Sequence, residues 1–350
     1  MFREALADGT LESYFGLAEQ HHTQADPAFC GLASVVVALN ALAIDPGRLW
    51  KGPWRWFSEE QLDCCVPLEH VQANGITLDE LACLASCNGA TARVYRAEEV
   101  EESALQEAIE SSSQSAGGRV LIASYSRAAL GQTGGGHFSP LAGYHRGRNL
   151  ALILDVARFK YSPHWVTVGS LFSAMRMPDS ATGRSRGFIE LERASSPCNL
   201  GFVFTNREGG WQRLARFVDM EARHLLDNIK PESARAVIQV VLAAAADAAT
   251  GIVLRETADA HHQHAVGSVL AQVRATPIFE YAAQDCSQIV PELATVLFYL
   301  LPHDTWRRLA PEVAAELMRL GDLERLEQPL SGDLSVLRGQ LQELRKCFGT

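Results

Sequence analysis

Apolar residues recur at helical spacing immediately after a polar stretch near the start of the chain. The polar stretch runs from Gln24 to Gly31. The apolar positions that follow it lie three or four residues apart, at Leu32, Val35, Val36, Leu39 and Leu42. This spacing predicts one buried face of a helix that stops at the turn signal of residues 45–47. Because Pro27 suits the first turn of a helix, we expect Cys30 to lie about one turn inside the helix N-terminus.

The rest of the first half mixes helical and strand patterns. Helices are predicted over 1–22 with an interruption near Gly9, and over 58–65, 77–87 and 98–110. After a loop the apolar period changes, and strands are predicted over 120–125, 138–144 and 150–156. The last two strands are close enough in sequence to form a hairpin, so we expect an α+β fold with an antiparallel sheet.

The second half of the chain has an almost purely helical period. Beyond Trp211, helices are predicted over 214–226, 233–246, 266–273, 293–300, 311–320 and 334–344. The change of character near Ser195 indicates a domain boundary within 192–210. We therefore expect an α+β domain over residues 1–195 and a mainly α-helical domain over residues 196–350.

Composition and charge narrow the classes of function. The chain of 350 residues is 47% hydrophobic and 21% charged, which is typical of globular proteins. Its formal net charge of -10 argues against nucleic acid or an anionic membrane surface as the main partner. No apolar run is long enough for a membrane span, and the first residues lack the core of a signal peptide. Eight cysteines are too few for a disulfide scaffold, which favours functional thiols in a reducing cytoplasm.

Cys30 is the first candidate for chemistry. The unpaired N–H groups and the positive dipole end of a helix N-terminus favour a thiolate over a thiol, so Cys30 would be poised to attack a carbonyl. Gln24 lies six residues upstream, and its side-chain amide could donate to the oxyanion that such an attack forms. The alternative interpretation is a small apolar residue packed at the start of a core helix.

A glycine-rich segment leads to the second candidate. Residues 131–136 run directly into His137 at the start of a predicted strand. A hairpin turn centred on Arg146 would pair His137 with Asp155 on the next strand, with Cβ atoms about 4.5–5.5 Å apart. The same register puts apolar residues of both strands on the opposite face. A carboxylate there would fix the tautomer of His137 and stabilise its charged form, whereas His137 alone would be a hydrogen-bonded structural residue.

Five of the eight cysteines lie in the segment from Cys30 to Cys87. Cys83 and Cys87 are one helical turn apart, so both sulfur atoms could reach one ion, and Cys64 and Cys65 form a second pair. We predict a metal site at Cys64, Cys65, Cys83 and Cys87, and the alternative is a group of buried, inert thiols. The histidine-rich segment 261–264 could also bind metal, but a solvated cluster at a helix end is favoured.

Six sequence blocks carry a resemblance to a known family. They are TQADPAFCG at 23–31, AIDPGR at 43–48, WKGPWRWF at 50–57, LDCC at 62–65, TGGGHFSP at 133–140 and ALILDVARFKY at 151–161. With these blocks, residues 1–192 resemble the phytochelatin synthases, whose order of glutamine, cysteine, histidine and carboxylate is that of the papain-like cysteine protease superfamily. Phe29 departs from the tyrosine of the plant enzymes. The second half resembles the variable C-terminal region of eukaryotic members only loosely, and its three cysteines, Cys198, Cys286 and Cys347, argue against strong metal sensing there.

The resemblance implies a papain-like catalytic domain and a transpeptidation that uses glutathione. Cys30 would attack the carbonyl of the Cys–Gly peptide bond, while Gln24 and the Cys30 N–H stabilise the oxyanion. His137, oriented by Asp155, would carry a proton from the thiol to the departing glycine. The γ-glutamylcysteinyl thioester would then pass to the amino group of a second glutathione or of a longer chain.

The resemblance also implies substrate contacts and partners. Glutathione carries two carboxylates and the protein is acidic, so Arg158, Lys160 and Tyr161 are predicted to bind the substrate. No organic cofactor is expected. The family is activated by Cd²⁺, Zn²⁺ and similar soft metal ions, at least partly because metal–glutathione thiolates serve as acceptor. The expected partners are glutathione, phytochelatin oligomers and heavy-metal ions, and a homodimer is one oligomeric state to consider.

Two other functions remain open from the sequence. One is a glutathione-conjugate peptidase on the same scaffold, in which water is the acceptor. The other is a non-catalytic, thiol-rich metal-binding protein, which the intact set of Gln24, Cys30, His137 and Asp155 argues against. The choice of acceptor depends on the shape of the cleft and on the exclusion of water, which the sequence does not reveal.

Overall fold

The structure is a computed structural model that describes residues 1–46, 50–194, 201–204, 210–229, 231–254, 260–285 and 289–348. Contacts among these residues divide the chain into two compact units, one ending at residue 194 and the other starting at residue 201. Within the described ranges, no helix combines the length and the apolar character needed to cross a membrane.

The first unit contains seven helices and six strands within its described residues. The helices are α1 (Phe2–Ala7), α2 (Glu12–Gln20), α3 (Cys30–Ala41), α4 (Leu68–Asn74), α5 (Leu78–Cys87), α6 (Glu102–Ser113) and α7 (Val168–Arg176). The strands are β1 (Ala90–Arg96), β2 (Arg119–Ser126), β3 (Gly136–His145), β4 (Leu150–Ile153), β5 (His164–Thr167) and β6 (Gly187–Arg193). They form one sheet in the order β1-β6-β2-β3-β4-β5, and every neighbouring pair is antiparallel. The expected α+β class with an antiparallel sheet is therefore confirmed.

Helix α3 is the centre of this unit. Every residue from Gly31 to Asn40 is buried, so the helix is covered on all sides and not only on the predicted face. It packs against strands β2 and β3 of the sheet and against helices α2 and α5. Gly31 has no room for a side chain, because a Cβ atom there would clash with Cγ2 of Ile76 and would lie 3.5 Å from the ring of Phe138.

A second apolar cluster covers the sheet where α6 and α7 pack against it. Alternate residues of β2, namely Leu121, Ala123 and Tyr125, are fully buried there. Leu105 of α6 and Leu171 of α7 are also fully buried in this cluster. Alternation along a strand puts such residues on one face, so this side of the sheet forms a continuous core.

Several predicted elements of the first unit are confirmed and others change. The interruption near Gly9 separates α1 from α2, where Gly9 has a φ of +66°. Helix α5 begins with a capping box, in which Thr77 Oγ1 accepts from the Glu80 N–H and Glu80 Oε2 accepts from the Thr77 N–H. The predicted helix over 58–65 is wrong, since only a short 3₁₀ turn at Glu59–Gln61 forms and α4 follows it.

The second unit is mainly helical within its described residues. Its elements are β7 (Phe202–Phe204), α8 (Gly210–Arg216), a π-helical turn (Phe217–Glu221), α9 (Ala222–Ile229), α10 (Ala234–Ala244), α11 (Ala246–Ala249), β8 (Ile252–Leu254), α12 (Ala260–Arg274), α13 (Pro277–Asp285), α14 (Pro291–Leu300), α15 (Pro311–Leu320) and α16 (Leu330–Phe348). All six predicted helical segments correspond to helices. The antiparallel pair of β7 and β8 was not predicted.

The core of the second unit is apolar and aromatic. Trp211 of α8 and Trp306 are almost fully buried, and the ring of Trp306 stacks on Phe298 at a centroid distance of 5.6 Å. The histidine-rich segment 261–264 falls at the start of α12, as expected, but the side chains of His261 and His262 lie outside the described residues.

Candidate active site

Cys30 is the first residue of α3, closer to the helix end than the sequence predicts. Pro27 does not belong to the helix. It lies in a preceding turn, in which the Asp26 backbone oxygen accepts from the Phe29 N–H at 3.0 Å and Asp26 Oδ1 accepts from the Ala28 N–H at 2.9 Å. Cys30 therefore occupies the position where the N–H groups of the helix are unpaired and the dipole is strongest.

The Cys30 thiol is half-buried and faces His137. Burial raises the pKa of Cys30, but hydrogen bonds from His137 and from the N–H groups of Phe138 and Gly31 outweigh burial and lower the pKa below its ordinary value. Burial lowers the pKa of His137, but its hydrogen bonds to Asp155 and Cys30 outweigh burial and raise that pKa. The opposite shifts favour a thiolate–imidazolium pair.

His137 is held between Cys30 and Asp155 by its two ring nitrogens. Nε2 lies 2.9 Å from Asp155 Oδ1. Hydrogen bonds from His137 and Arg127 outweigh burial and hold the pKa of Asp155 well below its usual range, so the carboxylate only accepts hydrogen bonds and Nε2 must carry the proton. Nδ1 is then the nitrogen that forms the hydrogen bond with the Cys30 sulfur, and its proton can be shared with that sulfur.

The predicted contact between His137 and Asp155 forms, but the predicted register is wrong. Strand β3 pairs Tyr144 with Ala151 instead of Arg148, a shift of three residues, and an irregularity follows between Leu141 and Gly143. The turn is longer than expected because it contains a 3₁₀ segment at Arg146–Arg148 and Asn149 in the left-handed region, where Asn149 Oδ1 accepts from the Tyr144 hydroxyl at 3.0 Å. Strand β4 ends at Ile153, so Asp155 reaches His137 from beyond the ladder.

Arg127 is a component of the site that the sequence interpretation missed. Its Nη2 donates to Asp155 Oδ1 at 2.9 Å, and its Nη1 lies 2.9 Å from Oδ2 as an ion-pair contact without aligned hydrogen-bond geometry. Asp155 is fully buried and Arg127 is 4% exposed. Nη1 also donates to Gln132 Oε1 at 2.7 Å, and the guanidinium lies 4.7 Å from the ring centroid of Tyr161. Arg127 directly follows β2, and β2 pairs with β3, the strand that carries His137. Its position at the end of a neighbouring strand was the sequence signal that could have placed it in the site.

The loop that presents His137 bends sharply beside Arg127. Gly131 and Gly134 have φ angles of +70° and +118°, which residues with a side chain rarely adopt. A Cβ atom on Gly134 would lie 3.2 Å from Cδ of Arg127. The glycines therefore let the loop pass closely over Arg127 before β3 begins.

Gln24 is buried beside the segment that leads into α3. Its Nε2 donates to the backbone oxygens of Asp26 at 2.8 Å and of Pro27 at 3.0 Å. Its backbone N–H donates to the Val156 backbone oxygen at 3.0 Å. Both amide hydrogens are therefore engaged by the turn before Cys30. Donation to an oxyanion would require one of them to be released, whereas the Cys30 N–H at the helix end needs no rearrangement.

The three predicted substrate-binding residues lie in a turn beyond Asp155. The Lys160 and Tyr161 N–H groups both donate to the Ala157 oxygen, so the chain bends after Val156. Arg158 Nη1 donates to the His21 oxygen at 2.9 Å, and Lys160 Nζ donates to the Thr133 oxygen at 2.6 Å. The Tyr161 hydroxyl accepts from the Thr133 N–H at 2.8 Å. Lys160 and Tyr161 thus border the glycine-rich loop, while Arg158 lies against the segment before Gln24.

The four cysteines predicted as metal ligands come together where the segment after the 3₁₀ turn reaches the end of α5. The sulfur atoms of Cys64 and Cys65 are 3.7 Å apart, and those of Cys65 and Cys87 are 3.3 Å apart. Cys83 is buried, and its thiol lies within hydrogen-bonding reach of Cys65 and Cys87. None of the five described cysteines of the first unit forms a disulfide bond.

A cysteine at a helix N-terminus, a histidine beside it and a carboxylate behind the histidine form the arrangement that cysteine-dependent acyl transferases and peptidases use. The comparison with known families makes the class specific. The chain belongs to the phytochelatin synthase family, whose model matches residues 1–188.

Similar proteins come from plants and a fungus. The chain is 45% identical over 241 residues to glutathione gamma-glutamylcysteinyltransferase 3 of Lotus japonicus, which covers 69% of this chain and 50% of that protein. It is 48% identical over 226 residues to glutathione gamma-glutamylcysteinyltransferase 1 of Triticum aestivum, and this match covers 65% of this chain and 45% of that protein. The transferase of Schizosaccharomyces pombe is 40% identical over 222 residues, covering 63% and 53%. The chain spans about half the length of the curated relatives that it matches.

Proposed function

We propose that the protein is a γ-glutamylcysteine dipeptidyl transpeptidase that makes phytochelatins from glutathione and so serves the detoxification of heavy metals. The supporting observation is the contact of Cys30 with His137, which Asp155 orients at 2.9 Å, inside a domain of the phytochelatin synthase family. Residues 1–195 are proposed as the catalytic domain, and residues 196–350 as a helical C-terminal domain.

The first half-reaction acylates Cys30. The thiolate attacks the carbonyl carbon of the Cys–Gly peptide bond in glutathione, and the oxyanion accepts from the Cys30 N–H, with Gln24 as a second donor once its amide is released. The carbon–nitrogen bond breaks as His137 gives its proton from Nδ1 to the glycine nitrogen. Glycine leaves, and γ-glutamylcysteine remains on sulfur as a thioester. Asp155 stabilises the imidazole while it is charged and holds its orientation after the proton has left.

The second half-reaction transfers the acyl group. The amino group of a second glutathione, or of a longer chain, attacks the thioester carbonyl while His137 accepts a proton from nitrogen. A new peptide bond forms, the carbon–sulfur bond breaks, and the thiolate–imidazolium pair returns. Water in place of the amine would make the enzyme a peptidase instead.

Charge at the edge of the site suits a substrate with two carboxylates. Arg158, Lys160 and Tyr161 are proposed to bind them, although the protein as a whole is acidic. The metal ion enters as part of the substrate, because a Cd²⁺– or Zn²⁺–glutathione thiolate is the proposed acceptor, and no organic cofactor is needed. The lack of disulfide bonds among the described cysteines of the first unit agrees with a reducing cytoplasm, which stays a prediction, as does a homodimer.

The test is product analysis with glutathione in the presence and absence of Cd²⁺. Oligomers of γ-glutamylcysteine and free glycine, separated by mass, are the expected products. The Cys30→Ser variant should release no glycine, since a serine hydroxyl does not ionise at neutral pH. Cys198→Ser removes a cysteine outside residues 1–188 and should remain active. Glycine release without oligomers at any glutathione concentration would identify a peptidase and refute the proposal.

A further inference from the structure

Four thiols of the first unit meet where the segment after the 3₁₀ turn reaches the C-terminal end of α5. The sulfur atoms of Cys64, Cys65 and Cys87 all lie within 4.8 Å of one another. Cys83 lies one helical turn before Cys87 and is within hydrogen-bonding reach of Cys65 and Cys87. The segment that contains Cys64 and Cys65 is separated from α5 by α4, so the cluster joins two parts of the chain.

We propose that these four sulfur atoms bind one thiophilic divalent cation, Zn²⁺ or Cd²⁺, in a closed structural site. A Zn–S bond of about 2.3 Å in tetrahedral geometry puts neighbouring sulfur atoms about 3.8 Å apart. The distances of 3.7 Å from Cys64 to Cys65 and 3.3 Å from Cys65 to Cys87 are close to that edge length. The Cys83 sulfur lies outside this group of three, so its side chain must move towards them for all four sulfur atoms to bind one ion.

The surroundings of the thiols suit a metal–thiolate centre. Asn88 Nδ2 donates to the Cys64 sulfur at 3.4 Å while the same group donates to the Leu84 oxygen at 2.8 Å. An N–H donor to a ligating sulfur is the kind of outer contact that orients and stabilises a metal ligand. Cys65 and Cys83 are 1% and 2% exposed, whereas Cys64 and Cys87 are half-buried and leave an entry path for the ion. A donor set made only of sulfur selects soft ions over Mg²⁺ or Ca²⁺.

The expected role is structural because four protein sulfur atoms leave no coordination position for water or substrate. The ion would fix the end of α5, whose Leu81 packs beside Gly31, the residue after Cys30. It thus supports the helix pair that carries the nucleophile without touching the reacting atoms. Binding replaces the thiol protons by the ion, so affinity should fall as the pH falls. This site is independent of the metal–glutathione acceptor proposed above.

The experiment uses the full chain with Cys30→Ser, reduced and free of glutathione, so that the candidate nucleophile cannot contribute. Zn²⁺ or Cd²⁺ alone is added, and bound metal and Tm are measured. We expect one ion per chain and, at 100-fold excess over Kd, a rise in Tm of about 5–10 °C. Adding Cys65→Ser and Cys87→Ser together should abolish both effects. Adding Cys198→Ser, Cys286→Ser and Cys347→Ser should leave them unchanged.

Three results would overturn the site. The first is no bound ion in the Cys30→Ser protein. The second is an unchanged number of bound ions when Cys65→Ser and Cys87→Ser are added. The third is loss of the ion when Cys198→Ser, Cys286→Ser and Cys347→Ser are added. If the double variant fails to fold by far-UV circular dichroism, Cys64→Ser decides the question. This half-buried position should tolerate serine, and the affinity for the ion should drop at least tenfold. An equal affinity in Cys64→Ser would contradict the proposal, whatever the outcome of the glutathione assay.

Discussion

Replacing Arg127 by methionine tests how the fold keeps Asp155 ionised next to His137. Methionine retains much of the length of the side chain but removes the Nη2 donor to Oδ1 and the Nη1 contact with Oδ2. Asp155 then keeps two donors to Oδ1, the His137 Nε2 at 2.9 Å and the Ala157 N–H at 2.9 Å, and loses its arginine partner.

The magnitude follows from the burial of both partners. Removing one member of a buried ion pair typically costs about 3–5 kcal/mol, because the remaining charge is left uncompensated. The two retained donors favour the lower end, so we expect the variant to lose about 3 kcal/mol of the free energy of unfolding at neutral pH. Asp155 would also be less firmly placed, and we expect kcat/KM for glycine release to fall about tenfold to a hundredfold, the equivalent of about 1.4–2.7 kcal/mol.

The pH dependence of this loss has a defined sign. A carboxylate whose pKa is lower in the folded than in the unfolded state stabilises the fold above the unfolded pKa and loses that stabilisation as the pH falls towards the folded pKa. The pKa of Asp155 is strongly lowered, and Arg127 is one of the causes. The stability difference between wild type and Arg127→Met should therefore be complete above about pH 5 and shrink as the pH falls below about 4.

Urea unfolding followed by circular dichroism, together with a glycine-release assay, checks these expectations. The matched control is Arg93→Met, which removes a half-exposed arginine paired with Glu190 at 2.7 Å and should cost far less stability than Arg127→Met, because solvent screens the pair. If Arg127→Met and Arg93→Met lose the same stability, or if the Arg127→Met loss does not shrink in acid, the pairing of Arg127 with Asp155 does not hold the carboxylate ionised.

Three further predictions address the site. His137→Ala should lose nearly as much glycine-release activity as Cys30→Ser. Asp155→Asn should lose less, because an amide oxygen still accepts from Nε2. Equal losses of kcat in His137→Ala and Asp155→Asn would show that the negative charge of Asp155 is essential. A chain that ends at Ser195 should still acylate and release glycine, because every proposed catalytic group precedes that residue; a folded but inactive fragment, checked by circular dichroism, would contradict this. Arg158→Met should lower kcat/KM for glutathione by one to two decades, because it removes a charge-assisted contact of about 1.5–3 kcal/mol. The kcat/KM for glutathione diethyl ester should be nearly unchanged. An equal loss with the ester would show that Arg158 stabilises the fold through its hydrogen bond to the His21 oxygen.

The helices could be predicted from the sequence because their signals are local. Local sequence patterns identified α3 and α5, since both helices depend on residues within a few positions of each other. Strands β1 and β6 could not be found in this way. They are about ninety residues apart, and each becomes a strand through pairing with distant partners, such as Val94 with Ile189.

The contact between His137 and Asp155 was predicted correctly from a wrong register. A tight hairpin requires residues equidistant from its centre to face each other, but the turn is longer and the ladder is shifted by three residues. The contact survives because Asp155 lies beyond β4, where the backbone is free to bring its carboxylate back to the start of β3. Turn geometry, which depends on Asn149 in the left-handed region, was the missing information.

The candidate site is where local rules fail most clearly. Arg127, His137 and Asp155 are all nearly fully buried, although charged residues are rarely buried unless they are paired. Each compensates the others: Asp155 accepts from both cations, and its charge stabilises the imidazolium that faces the thiolate. A sequence pattern treats each of these residues as a surface residue. The cost of burying them is offset only when all three are assembled, and the pKa shifts that poise Cys30 for attack arise from that same assembly.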